Sequence, residues 1–130
     1  MGKNIFQHAK SMEDVHVEYR NHCQEMEQAR DEIARDITRI ETDQGQCEIL
    51  DREMQAFFQR TDTMIEDAEF MHTMSDCEYD LRDYSRKTEH SLEEKKETLE
   101  IEKRRLYNIE EEIKHQYRLC KELLSFGATS

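Results

Sequence analysis

The sequence predicts an all-α fold, a long antiparallel two-helix hairpin of coiled-coil type, on three observations. The chain has 130 residues, no Pro and three Gly. The punctuation that sheets and tight hairpins need is therefore missing. Charged residues make up 38% of the chain and hydrophobic ones 35%, a composition shared by long helices and disordered chains. Periodicity decides between these two. Counting by sevens from Ile5 meets Met12, Tyr19, Met26, Ile33, Ile40, Cys47, Met54, Thr61 and Ala68, and none of these is charged. Such a row is the a-type seam of a heptad repeat.

The first helix is expected over residues 4–70. Its companion d-type series is His8, Val15, His22, Ala29, Asp36, Asp43, Leu50, Phe57, Met64 and Met71. The series fails at Asp36 and Asp43, where Ile37 takes over one position later. A straight helix drifts in this way against a seven-residue repeat. Gly45 lies inside the helix, where glycine costs about 1 kcal/mol relative to Ala and can mark a bend.

The turn is expected within residues 61–76. Ser75-Asp76-Cys77-Glu78 and Thr63-Met64-Ile65-Glu66 both have the form of a capping box. The second helix is expected over 76–124, on the series Leu92, Leu99, Leu106, Ile113 and Cys120, joined by Ile109, Tyr117 and Leu123 or Leu124. Acid-first pairs four apart support both helices: Glu48/Arg52, Asp83/Lys87, Glu100/Arg104 and Glu110/Lys114. Residues 125–130, with Gly127, read as a helix cap and a frayed tail. The whole chain is thus expected to form one helical-hairpin domain. Two helices cannot cover apolar stripes this wide, so further helices from a partner are expected to complete a bundle.

Net charge is −12, and it is lopsided. Residues 13–80 hold 20 acids against 6 bases, whereas residues 81–130 hold 11 of each. An acidic half repels nucleic acid and anionic lipid, so neither is expected as a partner. No apolar run approaches the roughly 20 residues of a membrane span. The first six residues lack the apolar stretch of a secretory signal, and Phe6 stands where a myristoylation signal wants Ser or Thr. A cytoplasmic location is expected. Cys23, Cys47, Cys77 and Cys120 fit no zinc spacing and read as reduced thiols. A hairpin turning near residue 72 would set Cys23 and Cys120 level, which leaves a disulfide between them open.

Residues 54–74 concentrate apolar side chains, with four of the seven Met and three of the five Phe. Adjacent Phe57 and Phe58 point about 100° apart on a helix and cannot share one seam. The cluster reads either as the packed end of the hairpin or as an adaptable surface for a partner. The expected partner-binding residues are Met54, Phe57, Phe58, Met64, Ile65, Phe70, Met71 and Met74. Glu-x-x-His occurs at Glu13/His16, Glu69/His72 and Glu112/His115, the spacing used by di-iron bundles. The two further inward Glu residues such a site needs are not evident, so no metal or other cofactor is expected. No phosphate loop or nucleophile motif occurs, and a thin hairpin has no deep pocket. The chain is not expected to be an enzyme.

From Met54 to Cys120 the chain resembles the LXG-toxin-associated alpha-helical (Lap) proteins of Gram-positive bacteria. The residues that carry the likeness are Phe57-Phe58, the apolar stretch to Phe70, Tyr84-Ser85-Arg86-Lys87-Thr88, and the helix from Leu92-Glu93-Glu94-Lys95 through Glu102-Lys103-Arg104-Arg105-Leu106. The resemblance implies a non-enzymatic targeting factor. Such a factor binds the helical N-terminal domain of an LXG toxin, together with a second small helical partner. It promotes export by a type VIIb secretion system, and either stays in the cytoplasm or leaves with its toxin. With no Trp, the Trp-x-Gly turn of the related WXG proteins is absent, which favours the adaptor role. The alternative is a coiled-coil stalk of a type III or flagellar export apparatus, which a hairpin of this length and charge density also resembles.

Overall fold

The computed structural model describes residues 11–64 and 66–129, with side chains through Ser125. Among the described residues there are two α-helices and no strand. Helix α1 spans Met12–Met64 and helix α2 spans Ala68–Thr129. The all-α expectation of two long helices packed on each other is what forms.

Local chemistry sets the helix ends. Ser11 caps α1: its Oγ accepts from the Asp14 N–H at 3.2 Å. Glu13 and Asp14 then lie in the first turn, where acids suit the helix dipole. The expected start at residue 4 lies outside the described residues. α1 ends at Met64 rather than near 70, and α2 begins at Ala68, eight residues before the expected start at 76. The deciding residue is Asp67. Its Oδ1 accepts from the Glu69 N–H at 2.9 Å and the Phe70 N–H at 3.3 Å. Its carbonyl accepts from the Met71 N–H at 2.9 Å. Neither sequence capping box is used. Ser75 lies inside α2, and the Thr63 hydroxyl donates back to the Arg60 carbonyl. At the other end α2 continues to Thr129, so the expected frayed tail is helical over residues 125–129.

Packing divides the chain into two units: residues 1–35 with 100–130, and residues 36–99. In the first unit, Val15 and Ile113 are buried, with Tyr19, Met26, Ile109, Tyr117, Cys120 and Leu124 packed around them. Ile33 and Leu106 are buried as well. Each such aliphatic side chain contributes about 1.5–3 kcal/mol through burial. The Tyr117 hydroxyl and His16 Nδ1 hydrogen-bond across the helices. Arg30 Nε lies 2.6 Å from Glu110 Oε1. These pairs run antiparallel, and their register corrects one expectation. Cys23 shares a shallow groove with Ile113, while Cys120 packs on the Val15 cluster. The two thiols are not level, and all four cysteines are free. The turn falls earlier than residue 72, which shifts the pairing.

The second unit is held differently. Phe58 is its one buried apolar side chain among the described residues. Polar pairs cross between its helices: the Gln44 amide donates to Glu93 Oε2 at 2.9 Å, and the Ser85 hydroxyl donates to Asp51. These pairs are antiparallel too. Gly45 sits within continuous α1 with no positive φ.

Candidate partner-binding surface

The site is built in residues 36–99, where the seam changes identity. Early in α1 the d-type position is filled by buried Val15 and half-buried His22 and Ala29. From Ile37 on, the inward position is one residue later: Ile37, Gln44 and Asp51 are half-buried and Phe58 is 4% exposed. The drift read at Ile37 therefore continues for three more heptads. It turns polar residues inward and strands the apolar d-type residues. Leu50 is 62% exposed, Phe57 50% and Met64 80%.

Helix α2 adds Phe70, Tyr79, Leu81 and Tyr84, all exposed. With Ile49, the unit leaves eight large apolar or aromatic side chains exposed and buries one. The first unit exposes five and buries four among the described residues. The unit also carries most of the charge, with 18 acids against 8 bases for a net of −10.

The eight expected residues separate by environment. Met54 is half-buried and lines the cleft on both sides of the seam. Phe57 is exposed and makes a T-shaped contact with Phe58, with centroids 5.4 Å apart. Phe58 points into the unit, so its surface is used internally. Met64 and Phe70 flank the turn and are exposed, whereas Met71 and Met74 are half-buried. Ile65 lies outside the described residues. Five surface residues were not among those expected: Ile49, Leu50, Tyr79, Leu81 and Tyr84. Leu50 had been placed in the seam, and only the drift continuing past Ile37 signals otherwise.

On one side of the seam, Asp51, Gln55, Tyr79, Arg82, Ser85, Arg86 and Glu89 surround a polar cleft of about 360 Å³. The Asp51 and Glu89 carboxyls hydrogen-bond there. This bond, then burial, pushes Glu89 above the usual carboxylate range. Hydrogen bonds with Glu89 and Ser85 hold Asp51 below it. Burial, then the charges of Glu89, Asp51 and Asp43, push the neighbouring Cys47 thiol up, which keeps it protonated. On the other side, Cys47, Leu50, Met54, Leu81, Tyr84 and Thr88 line an apolar groove of about 240 Å³.

Among the described residues no three His, Cys, Asp or Glu side chains gather as a metal-ligand set. His16 bonds Tyr117, and His72 lies 3.8 Å from Asp76. No described helix is long and apolar enough to cross a membrane. What this surface offers chemically is contact: apolar side chains between acidic flanks.

The profile of a family described as "Protein of unknown function (DUF3958)" matches residues 11–119. The chain belongs to the DUF3958 family. The match spans both helices of this DUF3958 member, including the exposed apolar surface. No curated protein and no solved structure matches it.

Proposed function

We propose that this DUF3958 protein is a non-enzymatic adaptor. It binds the helical N-terminal domain of an LXG toxin in the cytoplasm and promotes the toxin's export by a type VIIb secretion system. The observation that carries the reading is the inverted second unit. Its seam pairs Gln44 with Glu93 and Asp51 with Ser85, while Leu50, Phe57, Phe70 and Leu81 face water. A helix pair arranged this way gains most by burying its outer face against other helices. The toxin as the partner rests on the likeness to Lap proteins.

Co-expression with the N-terminal helical domain of an LXG toxin tests the reading. The two should co-purify as a stoichiometric complex, and Phe57→Asp/Phe70→Asp should abolish it while leaving helicity intact. A chain that purifies alone from this co-expression, as a stable folded monomer, would reject the adaptor in favour of the export-apparatus stalk.

A further inference from the structure

The apolar groove in residues 36–99 has a regular geometry. On α1 its lining residues Cys47, Leu50 and Met54 are spaced by three and four, and on α2 so are Leu81, Tyr84 and Thr88. Along α2 the same spacings continue into a second stretch of about 600 Å³. There Ile40 lies seven residues before Cys47, and Ser91, Lys95 and Thr98 follow Thr88 at steps of three, four and three. Alternating steps of three and four on both walls are how a helix pair presents holes to a third helix. The groove is open, with Leu50 62% and Tyr84 71% exposed.

Charge selects the occupant. The unit that holds the groove has a net charge of −10. A second copy would bring the same charge and be repelled. A basic helix would be attracted, and its long Lys or Arg stems would cover apolar rim while their heads reached the acids. We propose that this groove receives one amphipathic helix of a partner protein, about three heptads long, with an apolar seam and Lys or Arg on its flanks. At 1.5 Å per residue such a helix is about 31 Å long and reaches from Ile40 to Phe57 and beyond. This rests on the adaptor reading and deepens it, because it names the face and the chemistry of what docks there.

The test uses the full chain and three labelled 21-residue peptides, followed by fluorescence anisotropy. The first has Leu at the seam positions of three heptads and Lys on the flanks. The second carries Glu in place of Lys. The third keeps the first's composition with the Leu positions shuffled. The first should bind saturably, and the other two about tenfold more weakly or worse. Leu50→Ser/Tyr84→Ser should weaken the first peptide about tenfold. Ile101→Ser, at an exposed position of the other unit, should leave it unchanged. Both substitutions are on exposed side chains, and circular dichroism checks that helicity is kept. Equal binding of the shuffled peptide would reduce the effect to charge alone and overturn the proposal, as would undiminished binding by Leu50→Ser/Tyr84→Ser. The toxin domain separates the two readings. If it co-purifies equally with wild type and Leu50→Ser/Tyr84→Ser, the adaptor stands and this groove is rejected. If the peptides discriminate as expected but no toxin domain is captured, the groove stands and the adaptor reading fails.

Discussion

The ring of Tyr19 lies flat on the ring of Tyr117, with centroids 3.9 Å apart and planes at 10°. His16 meets the same Tyr117 ring edge-on at 5.6 Å, and Lys121 Nζ stands 5.1 Å from its centroid. One tyrosine thus joins both helices in the first unit. Tyr117→Ala should lower stability by about 1–3 kcal/mol, below the usual range for a fully buried aromatic because the ring is half-buried. A double-mutant cycle with Tyr19→Ala, read by urea unfolding, should give a coupling of about 0.5–1.5 kcal/mol. Strictly additive losses would show that the stack contributes nothing beyond area.

Asp67 competes with Ser75 for the start of α2, and the structure chooses Asp67. Its carboxylate accepts two N–H groups of the first turn. Asp67→Ala should therefore cost about 0.5–2 kcal/mol. Ser75→Ala should be neutral or slightly stabilising, because Ser75 is internal to the helix, where Ala is the better former. Thermal unfolding of the two variants side by side checks this. The reverse order of stabilities would return the helix start to Ser75.

The same comparison marks what the sequence could reveal. Period-seven spacing identified both helices and put Met12, Tyr19, Met26, Ile33 and Ile40 on the covered side of α1, all half-buried or buried. It placed Leu106 and Ile113 in the core as well. The turn was harder, because three short polar stretches can each cap a helix and local signals do not rank them. Leu50 and Phe57 were misplaced for another reason. Hydrophobicity put them in the seam, but accumulated drift of α1 gave the inward position to Asp51 and Phe58. That outcome depends on α2 offering Ser85 and Glu89 as partners, a pairing no single helix records. Exposed Leu81 and Tyr84 became legible only with the two helices side by side.

Gly45 is a position where the sequence invites improvement. A Cβ added there meets nothing within 4 Å, and its φ is not positive. Gly45→Ala should raise stability by about 0.5–1 kcal/mol, through helix propensity and a less flexible unfolded chain. Denaturant midpoints with an unchanged slope are the measurement. A loss of stability would mean that α1 needs the freedom of glycine at this point.

The Asp51–Glu89 pair makes stability depend on pH in a defined direction. Glu89 is raised, first by its hydrogen bond to Asp51, then by burial and the charges of Asp51 and Glu48. Its contribution is complete below the unfolded value of about 4.3 and is lost as pH rises through the folded value. Asp51 is lowered by its hydrogen bonds with Glu89 and Ser85. Its contribution is present above about pH 4 and is lost as pH falls through its folded value. The two titrate as one unit that is best satisfied holding a single proton. Above its folded value the share from Glu89 is gone. Glu89→Gln supplies a permanent donor to Asp51, so its Tm should exceed that of wild type at pH 7. The gap should shrink as pH falls through the raised folded value of Glu89, where the wild-type carboxyl regains its proton. Comparing the two proteins at each pH cancels most of the general relief of acidic self-repulsion. A gap that stays constant with pH would mean that Glu89→Gln acts only by removing one negative charge, and the shared proton would then have no part in holding this unit together.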